Sequence, residues 1–374
     1  MCVCVCEREF LELCACAQSC FDNAMFVAQC FAFKGVERAH FATHFWSDPW
    51  RDAGMVLVAE TTGEIAETVA TLRIFDRRLY LKDGSILRVG GIGEVCTRDD
   101  WQRKGICGTL LLHASDVMKQ HGMVASCLHT SSMATVYSRC GYQSIPQLRV
   151  LVCIRLRHLS THLSTNLSTQ VTANGTSSPW LRSNGDGGGM WVRVLRVGAL
   201  GVELPLHQLI AHHAAFHKGR FCGAVVRDSL EYWTAFVCAN MRDTASLGAY
   251  WMQDGGRGSS PTVEGEDGYE GGGGGGLRGF VSLKSENCTR GVGPRRFYLG
   301  DFCACAEEVA KDGGRHVLET FLNHALVVNG ECGAQSAGAE EIVLKMPRPV
   351  AESMELCGEG GQVCVSVSLC EMTP

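Results

Sequence analysis

Residues 97–109 read TRDDWQRKGICGT, and the fold is decided by what this stretch connects. Upstream, Arg88–Thr97 (RVGGIGEVCT) has the β-branched, alternating character of a strand. Downstream, Leu110, Leu111, Leu112, Val117 and Met118 recur at helical spacing until Gly122 stops the pattern. A polar loop that leaves a strand and opens a helix aims several backbone N–H groups at one point, where the positive end of the helix dipole adds to them. That arrangement is a cradle for a diphosphate. Gly105 lets backbone approach the anion, Gly108 keeps the first helical turn open, and Arg103 and Lys104 supply neutralising charge. A nucleoside triphosphatase would need Gly-Lys-Ser/Thr in that order, whereas Lys104 precedes Gly105. A dinucleotide fold would need GxGxxG at the strand-to-helix turn, and the turn has none.

Working outward, Met55–Glu60 (MVLVAE) and Glu67–Phe75 (ETVATLRIF) read as two further strands. With Arg88–Thr97 they suggest an antiparallel meander. Beyond the helix, Met123–His129 (MVASCLH) is expected to be a buried strand, and Ala134–Cys140 (ATVYSRC) a short helix ended by Gly141. The segment as a whole predicts a β-α-β-α unit behind the meander.

Gln102-Arg103-Lys104-Gly105-Ile106-Cys107 resembles the acetyl-CoA binding motif of the GNAT acetyltransferases, Q/R-x-x-G-x-G/A, with cysteine where a small Gly or Ala is usual. Two more stretches carry the resemblance. Gly93-Glu94-Val95-Cys96-Thr97 stands where the family's strand splays from its neighbour and pairs with the pantetheine arm as if with an added strand. Ala134-Thr135-Val136-Tyr137, followed by Gly141-Tyr142, resembles the family's A-x-x-x-Y-x-x-x-G-F/Y signature with one residue fewer between Ala and Tyr. Together with FATHFWSDPW and MVLVAE, these stretches look like the Eis-like branch of the superfamily, over about residues 20–150. The resemblance implies an α/β (α+β) fold: a mixed, mostly antiparallel twisted sheet with a splayed strand pair and flanking helices. It also implies a second, cofactor-free copy. Gly300-Asp301-Phe302-Cys303 echoes Gly93-Glu94-Val95-Cys96, VLETFLNHAL follows as GTLLLHASDV does, and EEIVLKM answers MVASCLH. AEEVAKDGGRH replaces the cradle, so this copy is expected to bind no cofactor and to shape the substrate cleft.

At 374 residues the chain is long enough for two domains of about 100–200 residues each. Composition divides it into a Cys-rich leader (1–20), a first domain (21–157), a Ser/Thr/Gly-rich linker (158–189), a degenerate second domain (190–350) and a tail (351–374). An acidic, Gly-rich insertion at 253–277 interrupts the second domain. Hydrophobic residues make up 46% and charged residues 20%, and the net charge of -5 comes without a long basic run, which argues against nucleic acid. No run of 18 or more apolar residues and no secretory leader are evident, so no membrane partner and an intracellular, cytoplasmic location are expected. Oligomeric state is not legible.

The 21 cysteines are odd in number and scattered, which fits free thiols better than a disulfide framework. Seven of them (Cys2, Cys4, Cys6, Cys14, Cys16, Cys20, Cys30) crowd the N-terminus, where an amphipathic helix over about 7–32 is expected. They form no CxxC pair, so no metal is assigned. His207, His212, His213 and His217 fall on an amphipathic helix without a carboxylate or cysteine at ligand spacing, and are read as a solvated face.

The family's chemistry is direct attack of an amine on the thioester of acetyl-CoA in a ternary complex. The resemblance makes Tyr137 the general acid toward the departing thiolate and Glu94 a candidate base. It places the cofactor on Val95, Cys96, Thr97, Gln102, Arg103, Lys104, Gly105, Ile106, Cys107, Gly108 and Thr109. Backbone N–H groups near Val95–Thr97 would meet the oxyanion. A solvent-facing strand carboxylate is the competing reading for Glu94, and His129 and Ser132 are either pantetheine contacts or plain loop residues. For the whole chain, an active N-acetyltransferase, a non-enzymatic acyl-CoA sensor or scaffold, and a thiol-based redox or metal-handling protein all stay open. The acceptor is an amine of unspecified class.

Overall fold

A computed structural model describes residues 3–4, 11–15, 26–31, 38–62, 65–130, 132–145, 149–156, 180–183, 190–196, 206–237, 246–253, 277–285, 295–328 and 340–356. The linker apart from 180–183, the insertion between 253 and 277, residues 357–374, and Cys2, Cys6, Cys16 and Cys20 lie outside the described residues.

Two sheets carry the chain. The first runs in the order β1 (Val3–Cys4), β2 (Leu11–Ala15), β3 (Val56–Thr61), β4 (Thr68–Tyr80), β5 (Ile86–Thr97) and β6 (Ala125–Leu128). All its neighbours are antiparallel except β5 and β6. Helix α1 (Arg38–Trp46) precedes β3, α2 (Ile106–Gln120) makes the crossover from β5 to β6, and α3 (Ala134–Ser138) follows. The meander forms because β3 and β4 alternate β-branched and aliphatic residues, which bury Leu57, Ala59, Val69, Leu72 and Ile74. Against that face α2 lays Ile106, Leu110, Leu111, Ala114 and Met118, the stripe that its periodicity predicts. The approach is close at Gly90, where an added Cβ would lie 2.0 Å from Met118 Sδ.

The second sheet is ordered β7 (Arg149–Leu156), β13 (Glu340–Pro347), β12 (Arg295–Ala304), β11 (Leu277–Ser285), β10 (Ser246–Gln253), β9 (Met190–Arg196) and β8 (Trp180–Ser183). Its one parallel pair is β12 with β13. Helix α4 (Leu206–His217) precedes β10, while α5 (Ala306–Asp312) and α6 (Arg315–Val328) make the crossover between β12 and β13, and α7 (Arg348–Ser353) follows. A helix, an antiparallel meander and a right-sized crossover to a parallel strand therefore occur twice, each around its own core. The fold is mixed α/β, as expected.

Several local expectations change. Leu11–Ala15 is a strand paired with β3 and not part of a helix; among the described residues of 7–32, 26–30 are helical. Backbone pairing with β3 on one side and β1 on the other outweighs helical propensity. The strand expected to be buried at Met123–His129 is the shorter β6, with Ala125 and Cys127 exposed. It is exposed because the next strand, β7, although within the span read as the first domain, pairs with β13 in the other sheet.

The two units touch along the far end of β4. Tyr80 N donates to Ala224 O (2.9 Å), Gly223 N to Tyr80 O (2.8 Å), and Val226 N to Arg78 O (2.9 Å). Trp50 stacks on Tyr232 at 4.6 Å, and Tyr232 on Phe236 at 5.2 Å, the last two belonging to a π-helical turn at Tyr232–Val237.

Candidate active site

β5 changes partners along its length, and this opens the site. Parallel pairing with β6 covers Val89 to Ile92 only, whereas Gly93–Thr97 continue against β4 alone. The V between the two strands is the splayed pair expected of this architecture. A bulge lies at the same place: Thr71 faces Cys96 and Arg73 faces Gly93, so two residues of β5 stand opposite one of β4. Glu94 sits in the bulge at φ 54°, a left-handed conformation costly for a side-chain-bearing residue.

The bulge turns Glu94 inward. Its side chain is 10% exposed, with Oε1 2.9 Å from His44 Nδ1 and 3.6 Å from Arg73 Nη1. The competing picture of a solvent-facing carboxylate is thus excluded. Arg73 is itself buried, sandwiched by the Phe45 and Phe75 rings at 4.7 and 4.2 Å, and donates to Asp48 Oδ2 at 3.0 Å. Arg77 shares that carboxylate, with Nη2 2.9 Å from Oδ2. Two guanidiniums and two carboxylates thereby compensate one another in a place where a lone charge would be expensive. His44 is 26% exposed and sits between the Phe75 ring (5.2 Å) and the Phe236 ring of the second unit (5.2 Å). Sequence reasoning missed His44 as a site residue, although it stands in the FATHFW stretch; only its contact from α1 to Glu94 of β5 identifies it.

The cradle follows β5. A 3₁₀ turn at Asp99–Trp101 leads to Gln102, whose amide donates to Thr97 O (3.2 Å) and Asp99 Oδ1 (2.7 Å), closing the loop on itself. Arg98 clamps its outer side, reaching Glu67 at 2.9 Å and Asp100 at 2.7 Å. Arg103 (φ 61°) and Gly105 (φ 87°) are both left-handed, and Gly105 is the N-cap of α2, where no side chain caps the helix. The first-turn N–H groups therefore have no side-chain cap, and a Cβ built on Gly105 would meet nothing within 4 Å. Lys104 Nζ lies 4.3 Å from the centroid of the Trp101 ring, beside the opening. Gln102, Arg103, Lys104 and Gly105 are exposed, Ile106 is buried in the core, and Cys107, Gly108 and Thr109 line the half-buried first turn.

Tyr137 on α3 joins this group from the other side. Val95, Cys107 and Tyr137 pack against one cluster that also includes Cys140 and Tyr142. The Tyr137 and Tyr142 rings meet edge to face at 5.9 Å. Burial, aided by the nearby Cys107 thiol, pushes the Tyr137 phenol up to about 12, so the group holds its proton at neutral pH. Cys96 is half-buried, and hydrogen bonding with Cys30 and burial push its thiol up, whereas the same hydrogen bond pulls the Cys30 thiol down. His129 and Ser132 are exposed and are not drawn into this cluster.

The family model for the acetyltransferase (GNAT) domain matches residues 22–145, the span that carries β3 to β6, the cradle and Tyr137. The match covers about one third of the chain and makes the first unit similar to a GNAT domain. No curated protein sequence matches the chain at a significant level. Solved structures agree on the fold. A GCN5-related N-acetyltransferase from Kribbella flavida superposes with a TM-score of 0.50 at 15% identity, over 91% of this chain and 65% of that one. Eis1 from Mycobacterium abscessus gives 0.51 at 15% identity, over 91% and 68%. A GCN5-related N-acetyltransferase from Anabaena variabilis ATCC 29413 gives 0.55 at 10% identity, over 95% and 70%. The chain thus spans about two thirds of the length of these proteins. The matched span contains β5, the loop at Gly105 and α3. Among the described residues no helix is long and apolar enough to cross a membrane.

Outside the matched span, the histidines of α4 do not form a solvated face. Only His207 is exposed. His212 Nε2 lies 2.8 Å from Leu277 O, His217 Nε2 lies 3.1 Å from Phe302 O, and His213 is 2% exposed. The carboxylate missing from the local sequence is supplied by Asp301 of β12, which the meander brings under α4.

Proposed function

We propose that this chain is an N-acetyltransferase that moves an acetyl group from acetyl-CoA to a primary amine by direct attack in a ternary complex, and that it belongs to the Eis-like branch. The observation that carries the reading is the junction of β5 and α2: a strand freed from its parallel neighbour after Ile92, continuing into a loop whose uncapped N–H groups converge at Gly105. The free edge of Gly93–Thr97 suits a pantetheine arm, and the helix N-terminus with Arg103 and Lys104 suits a diphosphate.

In this reading the amine nitrogen bonds to the thioester carbonyl carbon and the C–S bond breaks. Backbone N–H groups around Val95–Thr97 stabilise the oxyanion between these two events. The ammonium proton passes to His44, whose Nδ1 is held by Glu94 so that Nε2 is the nitrogen left to accept it. Glu94 then acts by fixing the tautomer and balancing the imidazolium that forms. Tyr137, protonated by virtue of its burial, gives its proton to the departing thiolate. The second unit closes the acceptor side by placing Phe236 against His44 and Tyr232 against Trp50.

Calorimetry with acetyl-CoA, followed by a CoA-thiol release assay across an amine panel, tests the reading. Binding with amine-dependent thiol release is expected. Binding without release from any amine would favour a non-enzymatic acyl-CoA sensor, and no binding by well-folded protein would remove the cradle assignment.

A further inference from the structure

The strand bulge and its carboxylate recur in the second unit, in a different chemical setting. Between Ser282 and Leu283 the β11–β12 register shifts around Gly300, next to Asp301. Here α4, placed before the second meander as α1 is before the first, contributes not one imidazole but two. His213 Nε2 is 3.3 Å from Asp301 Oδ1, and the His213 and His217 rings lie 4.2 Å apart. One ligand atom from each of His213, His217 and Asp301 falls within 4.8 Å of the others.

We propose that His213, His217 and Asp301 form a binding site for a divalent first-row cation, zinc by its ligand chemistry, that ties α4 to β12. The site lies outside the acyl-transfer centre and goes beyond the function proposed above. Four observations support it. First, the histidines are spaced i, i+4 on one helix face, which lets two rings reach one point. Second, His217 Nδ1 is buried without a hydrogen-bond partner, a costly state for an imidazole nitrogen that a cation would relieve. Third, the outer contacts of a metal site are in place: His217 presents Nε2 to the Phe302 carbonyl, leaving Nδ1 as the coordinating nitrogen, and Asp301 gives its Oδ2 to Arg227 while Oδ1 faces His213. Fourth, bonds of about 2.1 Å in a tetrahedral zinc site separate neighbouring ligand atoms by roughly 3.4 Å, close to the His213–Asp301 spacing.

The charge states suit the proposal as well. Burial and the neighbouring His213 pull His217 down to about 4, so it is a neutral imidazole with a lone pair at neutral pH. Asp301 is buried, yet Arg227 and the histidines hold its carboxyl well below the usual range. Arg227 has a cost: a cation sharing the carboxylate with a guanidinium is bound less tightly than at an unpaired carboxylate. Through the Trp233 indole, which donates to Arg227 O at 2.9 Å and stands edge-on to His213 at 5.4 Å, the site braces the π-helical turn that carries Tyr232 and Phe236.

The test uses the full chain with its accessible thiols alkylated, to silence the N-terminal cysteines, then stripped with chelator and loaded with zinc. Equilibrium dialysis should give one zinc per chain. X-ray absorption at the zinc edge should show a nitrogen and oxygen first shell with imidazole scattering. His217→Gln should weaken zinc at least tenfold while leaving near-ultraviolet circular dichroism and acetyl-CoA affinity unchanged. A sulfur-containing shell, absence of stoichiometric zinc in the folded parent, or unaltered affinity in His217→Gln would each overturn the proposal. The absorption spectrum of the parent decides the matter even if the variant does not fold.

Discussion

His44 Nδ1 lies 2.9 Å from Glu94 Oε1, joining the end of α1 to the bulge of β5, and His213 joins α4 to Asp301 of β12 at 3.3 Å. The same helix-to-bulge pairing in both units is what an internal duplication of the fold would leave. In the first unit His44 is partly exposed; in the second the histidine is buried. If His44 accepts the amine proton, His44→Gln should lower kcat by about 10²-fold with acetyl-CoA affinity within twofold of the parent. Glu94→Gln removes the charge behind the imidazole but keeps the hydrogen-bonding shape, so its loss should be smaller. Steady-state kinetics with calorimetry checks both, and a His44→Gln enzyme of unchanged kcat would return the base role to Glu94 or water.

Tyr137 carries a second prediction. A phenol pushed up to about 12 stays protonated through the neutral range, so Tyr137 should impose no basic limb on kcat below about pH 10. Tyr137→Phe should reduce kcat by about 10²-fold without moving the acetyl-CoA Kd. The linkage has a definite sign: the folded state prefers the protonated phenol, so this contribution to stability is full below about pH 10, the unfolded value, and fades as pH rises toward 12. Above about pH 10 the parent should therefore lose thermal stability relative to Tyr137→Phe, which has no phenol to titrate. An equal rate in the two proteins would take Tyr137 out of the mechanism.

Gly105 separates binding from folding. Its φ of 87° strains any L side chain, by about 1–2 kcal/mol, although a Cβ there touches nothing. Gly105→Val should lower Tm by a few degrees, as a strain of that size implies. It should also raise the acetyl-CoA Kd more than tenfold, because a branched side chain stands where backbone must meet the diphosphate. A Kd within twofold of the parent, measured on folded protein, would mean that the anion is held elsewhere.

What the sequence reveals depends on whether the signal is local. The cradle was legible because a glycine at positive φ, an uncapped helix start and the preceding strand are consecutive in the chain. The stripe Ile106, Leu110, Leu111, Ala114 and Met118 was legible because one helix face meets one core. Residues paired across the fold were not. His44 and Glu94 are far apart in sequence, as are His217 and Asp301, so a histidine helix without a nearby carboxylate read as a solvated face. Leu11–Ala15 misled for a related reason: five residues show helical and strand periods about equally, and only the edge of β3 decides between them. The destination of β7 in the second sheet follows from its pairing with β13, which no local pattern announces.

Acid should unfold the second unit through the same α4–β12 contact. His217 has its pKa lowered to about 4 by burial, whereas an unfolded histidine titrates near 6.5. Between these values the unfolded chain binds more protons than the folded one, so stability falls as pH drops through that window and is fully present above it. The contribution is on the order of 3 kcal/mol at most, from a shift of that size. Asp301, lowered by Arg227 and the histidines, acts in the same direction at still lower pH, where its protonation breaks the ion pair. Denaturant melts in chelator from pH 7 to pH 4.5 should show a stability loss that His217→Gln flattens, because a neutral amide has no proton to take up. A loss as steep in the variant as in the parent would move the acid sensitivity to other groups and leave His217 a bystander.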